Sequence, residues 1–391
     1  VSIAGKTVLI TGATGFIGGR LVEKLFLEHQ VGKVRVLVRG YQKVPRIACF
    51  PVEMLSGALD DEAFVRQAVQ GVDVVFHLAH DAGTDKVVRA GVRHLAQAAA
   101  AVRARVVNLS TAAVYGAPLY NPKGGVLEED TSPGALEHDV ASVEAKREAE
   151  AIFRGVRELE VVHLQPALVY GPYGKRWVEA PLAQLHSGQV AMVDDGRAPC
   201  AMVYVDDVVE ALIRAAWVRA AVGESFLLTA PRQHSWRDYL RALEGLIERQ
   251  AGPRPSRLVV LDGADLKAQQ SRETKAAARA LYAAVTDQSI IVKAERIRAV
   301  ERSLDLARRR LPGVWGRLTS LRKAGAPPPI VGRRAPDLPV HLPDATTVAL
   351  QRSRASVAAY KAMRVLGYEP RFDLELGMAQ VESYARWARL V

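Results

Sequence analysis

The chain has 391 residues, 49% of them hydrophobic and 24% charged, with a mean hydropathy of +0.02 and a formal net charge of +11. This balance reads as soluble and globular, with length enough for one large core and a second lobe. Only Cys49 and Cys200 are present. Without paired spacing they exclude a disulfide framework and a zinc site, imply a reducing cytoplasm, and are expected to be buried thiols. No apolar run reaches the roughly 18 residues of a spanning helix, and the chain enters a strand directly rather than a charged and then apolar leader, so neither a membrane span nor export is expected.

In chain order, residues 6–11 (KTVLIT) read as a strand, a glycine-rich turn follows, and Phe16 to Glu28 carries Phe16, Ile17, Leu21 and Leu25 at helical spacing. Strands are predicted at 34–38, 51–55, 72–78, 105–109 and 160–164. Helices are predicted at 60–69, capped by Asp60, and at 90–102 and 140–154. Apolar strands alternating with helices predict an α/β fold with a Rossmann-type, doubly wound parallel sheet. That domain is expected to span 1–175. A smaller, mostly helical substrate lobe then covers 176–391, with helices at 177–186, 207–219 and 235–249 and strands near 201–205 and 225–228. Residues 264–323 read as a basic helical insertion and 324–346 as a proline-rich extended connector. Closing helices are predicted at 353–366 and 374–389, with Gly367 as a C-cap.

The segment Thr11 to Gly18 (TGATGFIG) places Gly12, Gly15 and Gly18 between a predicted strand and helix. That context makes the spacing a dinucleotide fingerprint. The glycines permit a tight turn and close backbone approach to a pyrophosphate, and the helix N-terminus offers unpaired N–H groups and a positive dipole end. An Asp or Glu about twenty residues on would hydrogen-bond the 2′-hydroxyl of NAD, whereas an Arg suits the 2′-phosphate of NADP. Here the second strand ends Leu37-Val38-Arg39 with Lys43 nearby. NADP is therefore the expected cofactor and NAD the second choice.

Further segments follow in order: Val72 to Ala79 (VDVVFHLA), Ser110 to Gly116 (STAAVYG), Val169 to Pro172 (VYGP), Tyr204 to Asp207 (YVDD) and Leu366 to Pro370 (LGYEP). With the glycine turn they make the chain resemble an extended short-chain dehydrogenase/reductase of the NAD-dependent epimerase/dehydratase family. The resemblance implies cofactor contacts from Gly12, Thr14, Gly15, Phe16, Ile17, Gly18, Arg39, Leu59, Leu78, Ala79 and Lys146. It also implies a homodimer and a small-molecule substrate, including a nucleotide-sugar. Thr111 and Lys146 stand where the family has its catalytic Ser/Thr and the Lys of Tyr-x-x-x-Lys, in which Tyr exchanges a proton with substrate and Lys lowers its pKa. Ser142 occupies the Tyr position, one helical turn before Lys146. A serine hydroxyl is a far weaker acid than a phenol of pKa about 10, and its side chain is shorter, so it does not simply replace tyrosine.

Two other departures accompany it. The family's Gly-Asp-Leu after the third strand appears as Gly57-Ala58-Leu59, and the Arg before Pro in the sixth-strand motif appears as Gln165. Tyr115, Tyr170, Tyr173 and His138 are alternative acid/base groups, with packing the plainer role for each. His77 is read as structural, and Asp206 or Asp207 as an N-cap.

Charge is concentrated late in the chain: between Arg296 and Arg334 eleven basic residues face only Glu301 and Asp305, a local charge of +9. A solvated basic face, a membrane-surface helix over 296–323 and contact with an anionic substrate are the readings of this segment. Nucleic acid ranks lowest, because no aromatic interleaving or binding motif accompanies the charge. The expected function is an NAD(P)-dependent oxidoreductase or epimerase-like enzyme acting on a secondary alcohol or ketone of a sugar, nucleotide-sugar or specialised metabolite, with a non-standard proton donor. The alternatives are a non-catalytic NADP-binding sensor or partner subunit, and a non-redox lyase or isomerase.

Overall fold

In the computed structural model the first apolar run is β1 (Thr7–Thr11), and the glycine turn delivers it into α1 (Phe16–Leu27). Then come β2 (Lys33–Val38), β3 (Glu53–Ser56), α2 (Glu62–Ala68), β4 (Val74–His77), α3 (Asp85–Ala101), β5 (Arg105–Leu109), β6 (Gly125–Leu127), α4 (Val140–Gly155) and β7 (Val161–Pro166). Beyond these lie β8 (Leu168–Tyr170), α5 (Ala180–Ser187), β9 (Gln189–Val193), β10 (Pro199–Cys200), β11 (Met202–Tyr204), α6 (Val205–Ala215), β12 (Ser225–Leu228), β13 (His234–Ser235) and α7 (Trp236–Ala251). The structure describes residues 2–79, 85–252, 255–262, 265 and 338–391. His80, the basic segment 296–334 and, apart from Asp265, the expected helical insertion 264–323 lie outside the described residues, as does the connector before residue 338.

Residues Val1–Val260 and Pro343–Val391 form one compact unit, and Leu261–Leu342 a second. The first unit is built on a seven-stranded sheet of order β12-β7-β5-β4-β1-β2-β3, in which every neighbouring pair is parallel. Such a sheet is covered on both faces, which is why its central strands β1, β4 and β5 are mostly apolar and buried. On one face Leu21, Val22 and Leu25 of α1 share a core with Val208 and Leu212 of α6. On the other, Val65 of α2, Leu95 of α3 and Phe153 of α4 pack together. Full burial of such a side chain contributes about 1.5–3 kcal/mol. Strand order reverses between β1 and β4, and in open α/β sheets a crevice for ligands opens at the carboxyl ends of the strands at that point.

Local chemistry departs from the sequence expectations at several places. Asp61, not Asp60, caps α2, its carboxylate accepting from Phe64 N–H at 3.0 Å; both aspartates precede the helix, and Asp61 directly before it has the extended backbone of an N-cap. Asp206 and Asp207 lie inside the first turn of α6, with Tyr204 at the cap position. Asp206 binds the Arg20 guanidinium through two bonds of 2.6 and 2.7 Å, and Asp207 accepts from the Arg371 and Phe372 amides at 2.9 and 3.1 Å. Their role is still structural. Cys200 is buried, but Cys49 is exposed, its thiol donating to the Arg46 carbonyl at 3.3 Å.

The expected helix 353–366 is not continuous. A helix occupies Ala345–Arg352, the strand Ala355–Val357 then pairs parallel with β6, and only a single wide helical turn, Ala362–Leu366, remains. The edge of β6 offers unpaired backbone groups, and pairing with them outweighs the helical propensity of the alanines. Gly367 ends that turn in the left-handed region, with φ of 63°, as its C-cap role requires. The last helix is Leu374–Trp387. Among the described residues no helix is long and apolar enough to cross a membrane.

Candidate active site

The glycine turn is shaped by three different constraints. Gly12 has φ of +77°, and a β-carbon there would meet the Ala79 nitrogen and Leu78 carbonyl carbon at 2.7 Å, so this glycine lets the ends of β1 and β4 approach. Gly18 lies against the Gly12 carbonyl oxygen, which a β-carbon would strike, and so seats α1 on the turn. At Gly15 a β-carbon would meet the Gly12 oxygen at 3.2 Å and, among the described residues, no other atom within 4 Å beyond its chain neighbours, so these residues leave the space above Gly15 open. Gly15 is also the cap position of α1, where no side chain satisfies the first-turn amides and no acidic residue stands. An open approach over exposed amides at the positive end of a helix fits a pyrophosphate. Thr14, Phe16 and Ile17 are half-buried around the turn, and Leu78 and Ala79 close its far side.

The far side is fixed by Thr11, whose Oγ1 accepts from the Ala79 amide at 3.2 Å and pairs with His77 Nδ1 at 2.9 Å. Burial pushes the His77 imidazole down to about 3, so it is neutral and orients Thr11 without carrying charge. His77 thus has the structural role its position suggests. Leu59, half-buried, meets Gly91 of α3. Arg39 is exposed just past the end of β2.

Lys146 leaves α4 toward the sheet, and its Nζ donates to the Leu109 carbonyl oxygen at 2.7 Å, at the end of β5. Burial lowers its pKa to about 8, partly opposed by the Glu150 carboxylate, so it remains mainly an ammonium at neutral pH. Arg147, the next residue, holds α4 to the loop after β5 through the Val114 and Gly134 carbonyls at 2.7 and 2.9 Å. Sequence reasoning passed over it, because a lone Arg on a helix carries no pattern. Thr111 lies two residues beyond Leu109, and its Oγ1 accepts from the Ala113 amide at 3.2 Å, leaving the hydroxyl proton available to another acceptor. Ser142 is exposed on the first turn of α4.

The alternative acid/base groups divide clearly. Tyr115 is buried, with its hydroxyl donating to Gln165 Oε1 at 3.1 Å, while Gln165 Nε2 donates to Glu150 at 2.9 Å. Gln165 therefore joins two buried groups within the protein. Tyr170 is buried and donates to the Asp373 carbonyl at 3.1 Å. Burial raises the pKa of both phenols, and packing is the role of each. Tyr173 packs against Tyr384 with the rings tilted by 45° and their centres 4.6 Å apart, beneath the Arg46 guanidinium at 4.0 Å. His138 meets the Tyr120 ring edge-on at 4.8 Å.

Beside Thr111 opens a cavity of about 180 Å³, walled by Leu119, Tyr120, Trp177, Trp236 and Leu350. Tyr120 was not among the sequence candidates. It lies 26 positions before Lys146 on another element, so no helical spacing could connect them. Burial, reinforced by Asp139, pushes its phenol up to about 12, which keeps it protonated at neutral pH.

The model of the NAD dependent epimerase/dehydratase family matches residues 8–227. The chain is similar to sterol demethylase protein B of Methylococcus capsulatus, 34% identical over 181 residues, which cover 44% of this chain and 53% of that protein. It is similar to UDP-glucuronic acid decarboxylase 1 of Xenopus tropicalis, 26% identical over 265 residues, covering 62% of this chain and 60% of that protein. The matches thus span little more than half the length of these relatives. The fold resembles that of UDP-glucuronic acid 4-epimerase from Bacillus cereus, solved with UDP-glucuronic acid and NAD, at a TM-score of 0.64 and 16% identity over 98% of this chain and 99% of that one. With a family model matched over more than half its length, and with the fingerprint turn, the Lys146 anchor and the parallel sheet in the arrangement described, the chain belongs to the NAD dependent epimerase/dehydratase family.

Proposed function

We propose that the protein is an NAD(P)-dependent oxidoreductase or epimerase-like enzyme acting on a secondary alcohol or ketone, with NADP as its favoured cofactor. The observation that carries the reading is the placement of Lys146 at the Leu109 carbonyl, two residues from Thr111, whose side opens on the cavity. A nicotinamide dinucleotide held over Gly15 supplies hydride exchange at a carbinol or carbonyl carbon. Lys146 holds the ribose hydroxyls next to the nicotinamide, and Thr111 hydrogen-bonds the reacting oxygen. Arg39 supports NADP, since no carboxylate stands at the end of β2 to select the 2′-hydroxyl of NAD.

Tyr120 is the proposed non-standard proton donor. It lines the same cavity as Thr111, and its phenol is protonated at neutral pH. As a carbonyl is reduced, the Tyr120 O–H bond breaks and a new O–H bond forms at the substrate oxygen. The phenolate then regains its proton from solvent in the outer groove that Tyr120 also lines. Ser142, exposed on the first turn of α4, has no direct part in this scheme.

Names of relatives point to two substrate classes, sterols for the Methylococcus protein and UDP-sugars for the Xenopus one. The test is to measure NADP and NAD binding to the purified protein and absorbance near 340 nm across a panel of alcohols, ketones and nucleotide sugars. Tyr120→Phe is expected to lower turnover about 100-fold with cofactor affinity unchanged. Bound cofactor without turnover on any of the panel favours a non-catalytic NADP-binding protein instead, a reading that Ser142 in place of tyrosine supports.

A further inference from the structure

Two polar side chains of the cavity beside Thr111 are spent inside the protein. Ser353 Oγ donates to the Leu119 carbonyl at 2.7 Å, and Trp236 Nε1 donates to the Leu350 carbonyl at 3.3 Å. Thr111, Tyr120 and Thr346 remain as hydroxyls on a wall otherwise made of Ala, Leu, Val, Pro and Trp side chains, with Asp139 and Arg176 as its charged residues. Arg176, the one basic side chain among the described wall residues, is shared between the Asp139 and Asp344 carboxylates at 3.2 and 3.3 Å. That trio carries a net charge of −1. Asp139 also precedes α4, so its carboxylate stands where the helix would otherwise attract an anion. A diphosphate needs cations or unpaired amides. Among the described wall residues it would meet a largely apolar surface with no net positive charge, since Asp139 and Arg176 cancel there.

The dimensions agree with a ring. Dry apolar cavities of about 150 Å³ hold a single benzene ring, so about 180 Å³ accommodates one ring or two small fused ones. A second groove of about 560 Å³, lined by Pro118, Val126 and Leu127, shares Tyr120 with the first.

Resting on the oxidoreductase reading above, we propose that the substrate is an uncharged, largely apolar ring alcohol or ketone, with its reacting ring in the cavity beside Thr111, and not a nucleoside-diphosphate sugar. Thr111 and Tyr120 meet the single oxygen of such a ring, and the aliphatic and indole side chains enclose its carbon skeleton. Selection between the two classes comes from desolvation and charge, since the described wall residues offer no unpaired cation to a buried diphosphate.

Trp177 and Trp236 line the cavity and report its occupancy through their fluorescence. The full-length protein is titrated with 2-decalone, a neutral bicyclic ketone, and separately with UDP-glucose, each with and without saturating NADP. Saturable quenching by 2-decalone at least tenfold tighter than by UDP-glucose is expected. Leu350→Phe, which narrows the cavity, is expected to weaken the ketone at least fivefold while NADP binding, which also reports that the variant is folded, is unchanged. Tighter binding of UDP-glucose, equal binding of the two, or binding of neither overturns the substrate class. Absorbance near 340 nm separates this outcome from the redox reading. Turnover of nucleotide sugars alone keeps that reading and rejects the apolar substrate, whereas tight binding of the ketone without hydride exchange on any substrate does the reverse.

Discussion

Lys146 Nζ reaches the Leu109 carbonyl oxygen across 2.7 Å, tying the second turn of α4 to the end of β5 immediately before Thr111. This bond places a cation at the crevice that, among the described residues, forms no ion pair with a carboxylate. Lys146→Ala removes both the anchor and the charge, and turnover is expected to fall about 100-fold or more. Ser142→Ala, altering an exposed residue, is expected to stay within about threefold. Equal collapse of both variants in steady-state kinetics gives Ser142 a direct role and rejects the proposed division of labour.

Two buried imidazoles set an acid limit on stability. Burial pushes His77 and His163 each down to about 3 from an ordinary value of 6.5. Between these limits the unfolded chain binds protons that the folded chain does not. Stability is therefore complete above pH 6.5 and declines as pH falls toward 3, with a slope approaching about 1.4 kcal/mol per pH unit for each histidine. Urea denaturation between pH 7.5 and 5 measures the slope. A His163→Gln variant with the same slope as the unsubstituted protein would show that His163 contributes nothing to it.

Gly15 and Gly18 should respond differently to the same substitution. An alanine at Gly18 collides with the Gly12 carbonyl, so Gly18→Ala is expected to lower the melting temperature as well as cofactor affinity. At Gly15 the added carbon lies close, among the described residues, only to the Gly12 oxygen, at 3.2 Å. Gly15→Ala should keep the melting temperature within about 3 °C and weaken cofactor binding about tenfold or more. Thermal melts with and without NADP distinguish the two, and undiminished NADP binding by Gly15→Ala removes the pyrophosphate from this turn.

Cofactor choice is expected to turn on Arg39. Arg39→Asp adds a carboxylate after β2 that suits a 2′-hydroxyl and repels a 2′-phosphate, so preference should shift toward NAD by about tenfold or more. Calorimetric titration with both cofactors measures the ratio. An unchanged ratio assigns the selection to another residue.

The parallel sheet and the glycine turn were legible in the sequence because both rest on local physics. Strand alternation with helices follows from apolar runs and their spacing, and the turn from the tight approaches that only Gly12 and Gly18 permit. Lys146 and Thr111 were nominated by the family resemblance, and the structure adds that Lys146 reaches the end of β5 two residues before Thr111. The helix expected at 353–366 failed because Ala355–Val357 pairs with β6, some 230 positions earlier, and backbone pairing at that distance leaves no trace in local periodicity. Tyr115 and Tyr170 were removed as acid/base candidates only by their buried partners Gln165 and Asp373, while Tyr120 entered because the chain folds its loop onto the wall that also holds Thr111. Backbone chemistry within a turn is decided by neighbours in sequence; which hydroxyl is free to meet a substrate, and what charge surrounds it, is decided by burial and by partners that only the tertiary structure brings together.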